Sequence, residues 1–68
     1  MKELERRVLT RNGLFYSFKD KKFLENFDDL FVDDFRVKIK DEEIVDLFGP
    51  NWRDKNIKRL KVTFQFNL

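Results

Sequence analysis

Residues 60 to 68 alternate without a break: Leu60, Val62, Phe64, Phe66 and Leu68 are apolar, and Lys61, Thr63, Gln65 and Asn67 between them are polar. A helix would scatter the five apolar side chains around its circumference, whereas a pleated strand turns them all to one face. The chain therefore needs a sheet, and something to cover that face. Few means are at hand in 68 residues, because so small a body buries only roughly 60% of the surface its unfolded chain exposes. There is no cysteine, hence no disulfide or thiolate-bound zinc, and no histidine, the commonest transition-metal ligand and usual proton shuttle near neutral pH. Nine phenylalanines, one tryptophan and one tyrosine are the compensation, since each aromatic side chain buries about 150 to 250 Å².

The rest of the chain reads as the means of building and covering that sheet. Arg11-Asn12-Gly13 lies between Glu3–Thr10 and Leu14–Phe18; Asn12 and Gly13 tolerate the positive φ of a tight primed turn, so the pattern reads as strand, turn, strand, although Glu3–Val8 would also suit a helix ended by the Asn-Gly. In the second arm Leu14, Tyr16 and Phe18 share one face and Phe15 and Ser17 the other. From Lys21 the period changes. Phe23, Phe27, Leu30 and Phe31 fall at i, i+4, i+7 and i+8, which predicts a helix over about residues 21–32, capped by Asp20, with its apolar stripe against the sheet. Phe35, Val37 and Ile39 then alternate with Arg36, Lys38 and Lys40, a second strand that is apolar inside and basic outside. Residues 41–48 fit two readings. Asp41-Glu42-Glu43 would open a short helix ended by Gly49-Pro50, while β-branched Ile44 and Val45 tip the balance towards a strand followed by a loop. The expectation is one α+β domain spanning residues 1–68, an antiparallel sheet of three to five strands packed on one main helix.

The segment Trp52-Arg53-Asp54-Lys55-Asn56-Ile57-Lys58-Arg59-Leu60-Lys61-Val62-Thr63-Phe64-Gln65-Phe66 resembles the C-terminal part of small cyanobacterial KGK-domain proteins. There a tryptophan precedes a Lys-Gly-Lys-type turn and an Arg-containing alternating strand. The resemblance covers about 15 residues; this chain lacks the central glycine, is one residue longer between tryptophan and arginine, and ends Asn67-Leu68 where the family continues into a Cys-Pro-Asp-like tail. It implies a strand over 43–48 and carries no activity.

Composition narrows the chemistry. Ser17, Thr10 and Thr63 have no histidine to activate them, and two distant glycines cannot build a phosphate loop. Asp28-Asp29 and Asp33-Asp34 read as a solvated acidic helix end in preference to a magnesium or calcium site, although Asp29 and Asp33 stand four apart. No catalytic residue, metal ligand or cofactor is assigned. Net charge is only +2, but it comes in blocks of +4, −6 and +4 over residues 1–24, 25–46 and 47–68. Arg36, Lys38 and Lys40 on one strand, with Lys58, Arg59 and Lys61 on a neighbouring one, would make a basic outer face. Trp52, Arg53 and Lys55 beside it would add a ring and further charge, although Trp52 suits a lid over the small core at least as well as an interface anchor. That composite surface reads as the site of a larger protein partner or of self-association, with single-stranded nucleic acid as the alternative; a lysine-rich outer face is also the ordinary way to solubilise a sheet and blunt its edges. No stretch has the roughly 18 apolar residues of a membrane span, and the cytoplasm is the expected compartment. A small non-enzymatic interaction or regulatory protein, of the kind that bacteria, phages and mobile elements encode, is the reading these features support.

Overall fold

Asn12 and Gly13 do take positive φ, 50° and 82°, and the tight turn they form joins β1 (Lys2–Arg11) to β2 (Leu14–Ser17). The computed structural model describes residues 2–67; Leu68, the last apolar position of the alternating stretch, lies outside them. After β2 come β3 (Lys22–Leu24), two short 3-10 turns (Phe27–Asp29 and Val32–Asp34), the α-helix α1 (Asp41–Phe48), a third 3-10 turn (Trp52–Lys55) and β4 (Ile57–Phe66). The four strands form one antiparallel sheet in the order β3-β2-β1-β4. The protein is thus α+β, an antiparallel sheet with one helix.

β1 and β4 pair over ten residues in unbroken register, from Lys2 opposite Phe66 to Arg11 opposite Ile57. Because paired residues share a face, one face carries Leu9, Tyr16, Phe23 and Ile57 and the other Val8, Phe15, Leu60, Val62, Phe64 and Phe66. Each has its own cover. On the first, α1 and the third 3-10 turn close a core of Leu9, Tyr16, Ile39, Ile44, Trp52 and Ile57, with Phe18, Phe23 and Phe48 packed at its margin. On the second, the first two 3-10 turns lay down a row of edge-on rings, Phe15–Phe27–Phe35–Phe64, with centroids 5.2 to 5.5 Å apart.

Three sequence expectations are corrected. The helix is not at 21–32: that segment wraps around the β3 edge, putting Phe23 against Tyr16 and Phe48 on one face and Phe27 against Phe15 on the other. A single helical stripe could not serve both faces, and Lys21 breaks the run with φ of 55°. Residues 41–48 form the helix instead of a strand. Three acidic residues in its first turn suit the positive end of the dipole, the Glu43 carboxylate reaches back to the Lys40 N–H, and Ile44 and Phe48, four apart, face the core. The run 35–39 is no strand. Only Arg36 pairs with β1, exchanging both backbone hydrogen bonds with Arg7, after which the chain leaves the sheet to bury Ile39 and leave Val37 exposed. The cover expected over Leu60, Val62, Phe64 and Phe66 is correspondingly partial, because the helix lies on the opposite face.

Candidate functional site

Most of the residues that the sequence marks for partner binding are held by the fold itself. Trp52 is 5% exposed and part of the core, so its ring is no stacking platform for a base and no anchor for a partner. The Arg53 guanidinium lies over that ring at 4.3 Å and the Arg59 guanidinium at 5.6 Å, the cationic ends staying at the surface as long basic side chains do. Arg59 also donates from Nε to the Ile39 carbonyl (2.7 Å) and pairs with Asp41, which reaches Arg53 as well at 3.4 Å. The hydrogen bond from Arg59, then the charges of both arginines, hold the Asp41 carboxyl below the usual carboxylate range despite some desolvation. The Lys55 ammonium donates to the carbonyl of Phe48 (2.8 Å), the last residue of α1, where an unpaired acceptor and the negative end of the dipole favour a cation. Lys61 pairs with Glu5 at 3.4 Å, and Lys58 stands exposed beside Asn12 and Asn56.

The expected basic face is also rearranged. β1 lies between β4 and Arg36, so the two basic runs are not neighbouring strands. Arg36 rests its guanidinium on Phe18 at 4.3 Å. Lys38 and Lys40 do meet Arg59 across an open groove of about 760 Å³, which Arg7, unmarked in the sequence, completes. Asp41 and Glu42 line the same groove.

Of the two acidic pairs, Asp34 is completely buried. It accepts hydrogen bonds from the Ser17 hydroxyl (3.0 Å), the Lys19 N–H (3.0 Å) and the Phe31 N–H (2.8 Å), while the Ser17 oxygen accepts from the Asp20 N–H (3.1 Å). Burial pushes the Asp34 carboxyl up, but these donors outweigh it and leave it below its ordinary value. This is a clamp between β2 and the second 3-10 turn. Among the described residues no three carboxylates converge as a metal site.

What the sequence did not mark is the far half of the β1–β4 ribbon. The molecule measures 42 × 22 × 19 Å, and its long dimension accommodates two ten-residue strands that outrun their cover. Leu4 is 38%, Phe66 45% and Val32 84% exposed, and together with Arg6, Phe35 and Phe64 they line an apolar cleft of about 210 Å³. The signal was present in the alternation of residues 60–66, but its meaning depended on where the helix lay. Beside the cleft runs β4, the edge strand of the sheet. Among the described residues no helix is long and apolar enough to cross a membrane. Compared with known proteins, the chain matches no family model, and neither a curated protein nor a solved structure is detectably similar to it.

Proposed function

We propose that the protein is a small, non-enzymatic protein-binding module that receives a larger protein partner on the far half of the β1–β4 ribbon. The observation that supports this is the coincidence of exposed Leu4, Val32 and Phe66 around an apolar cleft with a strand edge alongside that is unpaired among the described residues. A marginally stable chain of this length has little reason to leave aromatic surface in water unless a partner covers it. The charged residues of the opposite face add solubility and hold α1 and the third 3-10 turn in place.

The test is site-specific photo-crosslinking in the native host. A photoreactive phenylalanine analogue in place of Phe66 is expected to capture one larger protein, other than a second copy of this chain, repeatedly, and the same analogue in place of Lys55 to capture none. Equal labelling from both positions, or none from Phe66, overturns the reading.

The groove lined by Arg7, Lys38, Lys40 and Arg59 favours a second reading, binding of single-stranded nucleic acid. It ranks behind because Asp41 already pairs with Arg59, and Glu5 lies 3.8 Å from Arg7, while Asp41 and Glu42 would face the phosphates. Four phosphate contacts to a single strand would weaken about fiftyfold between roughly 50 and 200 mM salt. Capture through the apolar cleft is expected to survive that change.

A further inference from the structure

We infer that the open edge of β4 pairs, antiparallel, with β4 of a second copy of this chain, with Thr63 opposite Thr63 on the two-fold axis. This rests on the reading of the far ribbon as an interaction surface and names what its edge takes. The dimer would place two apolar cleft faces side by side for the larger partner.

The direction of the backbone groups comes first. Arg7 exchanges both of its backbone hydrogen bonds with Arg36, on the side of β1 away from β4. In an antiparallel ladder this orientation alternates, so the even-numbered residues of β1 bond to β4 through Lys58, Leu60, Val62, Phe64 and Phe66. The N–H and C=O groups of Lys61, Thr63 and Gln65 must then point outward, along an edge that no other strand pairs with among the described residues. Native edges are usually guarded by lysine, proline or a bulge. The near half of β4 is guarded, by Lys58, Arg59 and Lys61; the far half, Val62–Phe66, contains none of these, and its register with β1 is unbroken.

The register follows from the side chains. A two-fold axis normal to the sheet keeps the faces matched, so only axes that pass through a residue are allowed. Centred on Arg59, Leu60 or Lys61, the pairing would oppose two cations directly. Centred on Val62, it would set the two Lys61 side chains on a close diagonal. Centred on Thr63, every pair is compatible: Arg59 faces Asn67, Lys61 faces Gln65, Leu60 faces Phe66 and Val62 faces Phe64. Moving the axis further along only shortens the overlap. Thr63 therefore centres the longest register in which the strand is complementary to itself.

Because the chain has no cysteine, single-cysteine variants report the register directly. A hydrogen-bonded pair has Cα atoms about 5.5 Å apart, within disulfide reach; Lys61 and its own copy would stand four residues out of register, about 13 Å apart. Under mild oxidation Thr63→Cys is expected to give a covalent dimer and Lys61→Cys alone to give none, while an equimolar mixture of Lys61→Cys and Gln65→Cys chains cross-links between the two. Without oxidant, the unmodified chain should move from monomer to dimer mass by sedimentation as concentration rises to about 1 mM, because one strand pair is a small interface. Thr63→Pro removes an outward N–H and leaves the β1–β4 ladder intact; it should keep the folded circular dichroism spectrum and weaken the dimer at least about tenfold. A chain that remains monomeric throughout, or cross-linking through Lys61→Cys as strong as through Thr63→Cys, overturns the proposal. Either result can be told from failure of the binding-module reading, which is decided by what the probe at Phe66 captures.

Discussion

Replacing Asp34 by alanine is expected to cost on the order of 3 to 4 kcal/mol, since three donors lose their acceptor and a buried donor left unpaired costs about 1 to 3 kcal/mol. The Ser17 hydroxyl is the worst placed, being fully buried; the Lys19 and Phe31 N–H groups are only partly buried and can recover some of the loss from water. A domain of this size holds roughly 3 to 10 kcal/mol in total, so Asp34→Ala should remove about a third or more of its stability and lower the urea midpoint accordingly. Asp34→Asn keeps the shape and one acceptor oxygen and should cost about half as much. Urea denaturation followed by circular dichroism measures both. A loss below about 0.5 kcal/mol, the usual range for surface changes, would show that the clamp does not hold the second 3-10 turn in place.

The same group gives a pH dependence of fixed sign. Its carboxyl lies below the ordinary value in the folded protein, through the Phe31, Lys19 and Ser17 donors that outweigh desolvation. Its stabilisation is therefore fully present above the unfolded-state pKa of about 4 and is lost as pH falls through the folded-state value. Asp41 is shifted in the same direction by Arg59 and Arg53, but it is an exposed group whose pairings are screened and contribute little. The difference between the unmodified protein and Asp34→Asn, measured from pH 7 down to about pH 3, isolates the buried carboxylate: the two stabilities should converge on acidification.

Asp34 also shows where sequence reasoning stops. Asp33-Asp34 reads as a solvated acidic pair because nothing local distinguishes the two, yet Asp34 is buried and Asp33 exposed. Two of its three donors are 17 and 15 residues away along the chain, a distance that periodicity cannot span; only the Phe31 N–H is local. Signals confined to a few neighbours were legible: the Asn12-Gly13 turn, the alternation that makes β4 a strand, and Gly49, which ends α1 with φ of 90°. Those that depended on which of two faces a side chain would serve were not. Phe23 and Phe27 share a helical stripe in sequence and lie on opposite faces of the sheet. Ile44 and Val45 favour a strand by propensity, and the burial of Ile44 under the sheet overrides that preference. The basic residues were identifiable as a group, but whether each was free to meet a ligand depended on Asp41 and Glu5, which join them from elsewhere in the fold.

Trp52→Ala is expected to destabilise the protein by about 3 to 5 kcal/mol, the usual cost of removing a buried tryptophan, and so to unfold much of it. The indole ring is part of the core with Leu9, Ile39, Ile44 and Ile57, and the third 3-10 turn that carries it connects α1 to β4. Its removal also takes away the ring on which Arg53 and Arg59 rest, a further loss of about 0.5 to 1 kcal/mol for each exposed cation. Trp52→Phe retains an aromatic body and should cost well under half as much. A surface anchor would behave in the opposite way, with binding lost and the urea midpoint unchanged. Since this is the chain's one tryptophan, its fluorescence decides between the two before any partner is in hand. A buried ring emits at short wavelength and resists quenching by iodide until urea unfolds the chain; a water-like emission maximum with free quenching in the native state would place Trp52 outside the core and return it to the binding surface.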